Sequence, residues 1–84
     1  MVRLVFLGKF GDLASAGLNE IALPDEVKTL ADLKSWVARA EPGLGKAMEK
    51  TPTRLVHNQR VAQDLSRSVL DGDEIAFLPP MSGG

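Results

Sequence analysis

The two runs of this chain that read best as strands stand at its opposite ends. Val2-Arg-Leu-Val-Phe-Leu7 comes first, and Ile75-Ala-Phe-Leu78 comes just before the last residues. In the first run Val2, Leu4 and Phe6 point to one side, and Arg3, Val5 and Leu7 to the other. Both sides are mostly apolar, as expected of a strand in the middle of a sheet. An Asp-Gly turn at Asp71 and Gly72 launches the last run, and Pro79-Pro80 stops it, since neither ring can donate a ladder hydrogen bond. These are the most apolar strands of the chain, so they are expected side by side and parallel at the centre of a sheet.

Between them the signals are weaker. Gly8 to Gly17 allows one short helical turn with Phe10, Leu13 and Ala14 on one face, and Asn19 to Leu23 reads as a second strand with Ile21 and Leu23 on one side. Thr29-Leu-Ala-Asp32 has the form of a capped helix start. Leu30, Leu33, Val37 and Ala40 then follow at helical spacing until Pro42-Gly43. Leu44 to Lys50 suits a further short turn of helix. Thr53 to His57 is expected as a third strand, Asn58-Gln59-Arg60 as a turn, and Val61-Ala62 as a stub that pairs back. Leu65 and Leu70 are expected to anchor the irregular connection that follows. This order of elements predicts an α+β domain, a mixed sheet with one main helix on one face.

The chain's 84 residues leave room for one domain, expected over residues 1–78, with residues 79–84 as a flexible tail. A formal net charge of −1 argues against general nucleic-acid binding. Arg3 interrupts the first apolar stretch, no run approaches a membrane span, and no signal peptide or membrane association is expected. Cysteine is absent, which excludes disulfides, zinc-thiolate sites and a cysteine nucleophile. His57, the sole histidine, suits a structural role. Asp71, Asp73 and Glu74 lack the ligand spacing of a calcium loop, and no metal site is expected. Gly8 and Gly11 are not followed by the Gly-Lys-Ser/Thr of a phosphate loop, and Trp36 is expected beside the helix stripe. No nucleophile–base pair is present, so the isolated chain is not expected to be a catalyst.

What remains is the ending, Asp71-Gly-Asp-Glu-Ile-Ala-Phe-Leu-Pro-Pro-Met-Ser-Gly-Gly84. The two glycines can thread a narrow tunnel, and the six residues after Leu78 reach about 20 Å when extended. An acidic turn, an aromatic before a Pro-Pro pair and a closing Gly-Gly, in that order, resemble the small subunit of molybdopterin synthase. That subunit belongs to the ubiquitin-like sulfur carriers. The resemblance implies a ubiquitin-like β-grasp over essentially the whole chain. The family often carries an Arg-Glu pair where this chain has Gly11-Asp12, a departure that bears on local structure and leaves the tail unaffected.

The resemblance also implies a chemistry. An ATP-dependent activating enzyme adenylates the carboxylate of Gly84, and sulfur from a donor such as a cysteine desulfurase replaces AMP to give a thiocarboxylate. The tail, with Gly83, Ser82, Met81, Pro80 and Pro79 leading to Gly84, then enters the synthase large subunit and sulfurates cyclic pyranopterin monophosphate. Two large and two small subunits are implied, in the cytoplasm, with no cofactor held permanently by this chain and ATP used only by the activating enzyme. Resemblance carries the partner surface onto Leu7, Val61 and Leu78, and strand parity adds Val56. A sulfur carrier for another pathway, such as thiamine synthesis, and a ubiquitin-like protein modifier are alternatives that also end in Gly-Gly, and a plain binding module with an inert tail is a third.

Overall fold

The computed structural model describes residues 1–80. In chain order its elements are β1 (Val2–Phe6), α1 (Lys9–Leu13), a 3-10 turn (Ala16–Asn19), β2 (Glu20–Ile21), α2 (Leu30–Ala40), α3 (Pro42–Lys50), β3 (Arg54–His57), β4 (Arg60–Ala62) and β5 (Glu74–Leu78). The strands form one sheet in the order β2-β1-β5-β3-β4. β1 and β5 run parallel, with Leu4 beside Ile75 and Phe6 beside Phe77, whereas the other neighbours are antiparallel. This is the β-grasp expected from the end strands. Its β1–β5 pair closes a loop of nearly the whole chain.

One core follows from the alternation. Val2 and Leu4 of β1, Leu55 of β3 and Ile75 and Phe77 of β5 are buried with Leu30, Leu33 and Val37 of α2 and Leu44 and Met48 of α3. The rings of Phe6 and Phe77 stack with centroids 4.9 Å apart. Thr29 and Asp32 form the expected reciprocal cap. The Asp32 amide donates to Thr29 Oγ1 at 3.1 Å, and the Thr29 amide donates back to the Asp32 carboxylate at 3.1 Å. Donation from the backbone amides of Lys28 and Thr29 holds the Asp32 carboxyl below its ordinary pKa.

Several local expectations are corrected. The second strand shrinks to Glu20–Ile21, because Asn19 belongs to the 3-10 turn and Pro24, just beyond Leu23, has no amide to extend the ladder. Pro42 ends α2 but also opens α3, where its missing amide is one of the orphans of a first turn. α3 therefore runs to nine residues and packs beside α2. A Cβ at Gly45 would lie 2.8 Å from the carbonyl oxygen of Ala38, so the absent side chain lets the helices approach. The contact draws Ala38 toward the core, while Ala40 in the last turn of α2 is exposed. Leu13 is exposed too, and Phe10 fills the core from α1. Arg60 is the first residue of β4, since Asn58 and Gln59, both at positive φ, complete the hairpin turn alone.

Leu70 does not anchor its connection. It is 65% exposed, and Val69 is buried in its place. The Val69 amide donates to the Lys28 carbonyl at 3.0 Å, which turns that side chain inward and its neighbour out. Leu65 does pack on the core, as does Trp36.

Candidate functional site

Because side chains alternate along a strand, burying one face of the sheet fixes what the other presents. Register aligns that outward face in rows. Val5, Ala76, Val56 and Val61 form a continuous apolar row across β1, β5, β3 and β4. On one side of it, Leu7 lies next to Leu78, its amide donating to the Phe77 carbonyl at 3.0 Å, and Leu78 pairs with Arg54 of β3. On the other side Arg3 stands between Glu20 and Glu74. Leu7 is 42% and Val61 54% exposed, while Val56 and Leu78 are half-buried. The structure thus gathers Leu7, Val56, Val61 and Leu78 on one face, opposite the helices. Val5 and Ala76 complete the row and were missed, although Val5 shares the parity of Leu7 that the sequence displays.

The same face ends where β5 gives way to Pro79 and Pro80. Pro79 is half-buried and Pro80 exposed. Gly8 has φ of +57°, and a Cβ there would stand 3.1 Å from Pro79 Cγ. Glycine is thus favoured twice, by its backbone angle and by the proline it supports. Beside these prolines lies a cleft of about 570 Å³ lined by Pro52, Thr53, Arg54, Val61, Ala62, Gln63 and Pro80. Met81, Ser82, Gly83 and Gly84 are outside the described residues.

His57 and the acidic residues Asp71, Asp73 and Glu74 have structural partners. His57 is 6% exposed, and its Nε2 lies 2.8 Å from the Asp73 carboxylate. Asp73 also accepts from the Leu70 amide at 2.9 Å and from Asn58 Nδ2 at 3.1 Å. Burial pushes the Asp73 carboxyl up, but the bonds from His57, Leu70 and Asn58 outweigh it and hold the carboxyl below its ordinary value. Asp71 pairs with the amino group of Met1, and Glu74 lies 3.7 Å from Arg3. Among the described residues no group of three or more His, Cys, Asp or Glu side chains could hold a metal ion. The acidic turn is thus engaged in joining β1, β3 and β5. No helix among the described residues is long and apolar enough to cross a membrane.

Comparison with known proteins gives the family. The model of the ThiS family matches residues 5–84. The chain is 35% identical to the molybdopterin synthase sulfur carrier subunit of Drosophila yakuba, over 99% of this chain and 90% of that one. It is 31% identical to the subunit of the same description from Haemophilus influenzae, over the full length of both. In three dimensions it superposes on SAMP1 from Haloferax volcanii with a TM-score of 0.76, over 99% of this chain and 98% of that one; at 22% identity the likeness is one of fold.

Proposed function

The chain belongs to the ThiS family, and on that premise we propose that it is the sulfur carrier subunit of molybdopterin synthase. The observation that carries the reading is the outward apolar face, which runs without a break from Val61 through Val56 and Ala76 to Leu78 and so to the root of the tail. A small domain that leaves such a face open has a surface suited to a partner, and here the chain leaves that surface toward its Gly-Gly ending. The full-length likeness to molybdopterin synthase sulfur carrier subunits supports the choice of partner.

In this reading the domain is a handle and Gly84 is the reacting group. A carboxylate is a poor acyl donor. An activating enzyme spends ATP to make the mixed anhydride with AMP, releasing pyrophosphate. The persulfide of a donor such as a cysteine desulfurase displaces AMP to give an acyl disulfide, and a thiol reduces that disulfide to the thiocarboxylate. The resulting thiocarboxylate is ionised near neutral pH, and its soft sulfur is more nucleophilic than oxygen. The large subunit seats Leu7, Val56, Val61 and Leu78, while the segment from Pro79 to Gly84 reaches its active site. There the sulfur passes to cyclic pyranopterin monophosphate and hydrolysis restores the carboxylate. A dithiolene needs two sulfurs, so two carriers act per product, consistent with two large and two small subunits. The place of action is the cytoplasm, and ATP belongs to the activating enzyme alone.

The test is intact-mass spectrometry of the chain after incubation with activating enzyme, ATP and a sulfur donor. The chain gains the mass of one oxygen-to-sulfur exchange, located in its C-terminal peptide. Removing Gly83-Gly84 leaves melting unchanged and abolishes dithiolene formation with the large subunit. Leu78→Asp or Leu7→Asp keeps the domain folded but weakens association with that subunit, because a carboxylate would be desolvated without a counter-charge. Full activity after the deletion overturns the proposal, and covalent ladders in cell extracts would favour a protein modifier.

A further inference from the structure

The outward face is polarised along its strands. At the end far from the tail, Glu20 and Glu74 flank Arg3 in one row, a formal charge of −1. The middle row of Val5, Ala76, Val56 and Val61 carries no charge. At the tail end the outward strand positions are Leu78 and Arg54, a formal charge of +1, with Leu7 adjoining. Arg54 is exposed and forms no ion pair among the described residues. It also lines the cleft that Pro80 borders, where Gln63 adds an exposed amide.

This pattern answers a question that the apolar row leaves open. Hydrophobic contact is non-directional, and a band of small aliphatic side chains across the strands would pack nearly as well with a partner turned half a revolution about the sheet normal. Only one of those orientations directs the tail into the partner. A charge placed at one end of the row removes the ambiguity, because like or unpaired charges penalise the reversed pose. Arginine suits the task, since its planar fork meets a carboxylate through two parallel N–H donors and fixes an angle as well as a distance.

We propose that Arg54 is a positioning residue that takes a carboxylate of the synthase large subunit at the mouth of the tail-receiving channel, and so sets the rotation of the carrier on its partner. The inference rests on the function proposed above. The large subunit is accordingly acidic where it meets β3 beside Pro80, and not acidic where it meets Glu20 and Glu74.

Arg54→Glu, Arg54→Lys and Arg39→Glu are to be compared with the parent chain, with circular dichroism as the folding control. Affinity for the large subunit is measured by calorimetry at low and at high salt, and sulfur transfer from the thiocarboxylated carrier in single turnover. Arg39 is exposed on α2, so reversing it changes the net charge equally on the helical side. Arg54→Glu should weaken binding at least tenfold at low salt, with the gap narrowing as salt screens the pair. At saturating partner it should still slow sulfur transfer severalfold, because a misrotated carrier presents its tail badly. Arg54→Lys should recover affinity more than transfer rate, and Arg39→Glu should stay within twofold of the parent in both. Parent-like binding and transfer by Arg54→Glu, with Leu78→Asp still defective, would overturn the role of Arg54 while leaving the docking face standing. If the parent chain itself failed to bind the large subunit, the proposed function would fall, and this inference with it.

Discussion

Asp73 ties together the three strands that carry the core, and replacing it by alanine tests how they are held. Three donors converge on its carboxylate: His57 Nε2 at 2.8 Å, the Leu70 amide at 2.9 Å and Asn58 Nδ2 at 3.1 Å. They do not lose equally. Leu70 and Asn58 are exposed, so water takes over their bonds in the variant. His57 is 6% exposed, and its Nδ1 is already buried without a partner, so the ring would have neither nitrogen satisfied. Orphaning a buried donor that had bonded to a charge costs about 2–3 kcal/mol, and the two exposed bonds add little. For a domain of this size that is a fall in Tm of roughly 10–20 °C. The pH dependence gives a second check. The folded carboxyl lies below its ordinary value, so its stabilisation is present in full above the unfolded-chain pKa of about 3.9 and is lost as pH falls through the lower folded value. The gap in urea-unfolding free energy between parent and Asp73→Ala should therefore be flat at neutral pH and close below about pH 4. Asp73→Asn, which keeps the shape, should fall between the two. An Asp73→Ala variant melting within a degree or two of the parent would refute the ranking of these bonds.

Three further substitutions probe the frame. Phe77→Ala removes a fully buried ring and its stack with Phe6, and should cost about 3–5 kcal/mol in chemical unfolding. Gly45→Ala should destabilise by roughly 1–3 kcal/mol by calorimetry, because the clash with Ala38 outweighs the usual helix gain of about 1 kcal/mol. Gln59→Gly should raise Tm by a few degrees, since Gln59 sits at φ of 71° in the hairpin turn, where a side chain costs roughly 1–2 kcal/mol.

What could be read in advance divides along physical lines. The parallel centre and the capped helix were legible because local signals and global demands coincide there. Period-2 apolar residues require burial on one face, and Thr29 with Asp32 satisfies backbone donors wherever the helix packs. The outward face was legible in part. Leu7, Val56, Val61 and Leu78 were placed by parity or resemblance, whereas the charge polarity of that face needs the register, since nothing in the sequence says that Arg54 meets Leu78 and Arg3 meets Glu74. The misplacements have one character. Leu13, Ala40 and Leu70 are apolar residues whose exposure depends on which neighbour reached the core first: Phe10, Ala38 and Val69. That competition is tertiary, and it leaves no trace in spacing. From sequence α3 reads as a single turn, because Pro42 looks like a stop from the left and is a start from the right.

The pairing of β1 with β5 also governs when the domain can exist. β1 has no parallel partner until residues 74–78 emerge from the ribosome, so the sheet cannot close while the residues between them are being made. Contacts of such long sequence separation slow folding, and until they form, the inner edge of β1 is an unpaired template for aggregation. A chain broken off before β5 would lose the middle strand of its sheet along with Ile75 and Phe77. Folding is thereby coupled to the arrival of the C-terminal region. Translation products truncated before β5 would therefore remain unfolded and open to proteolysis.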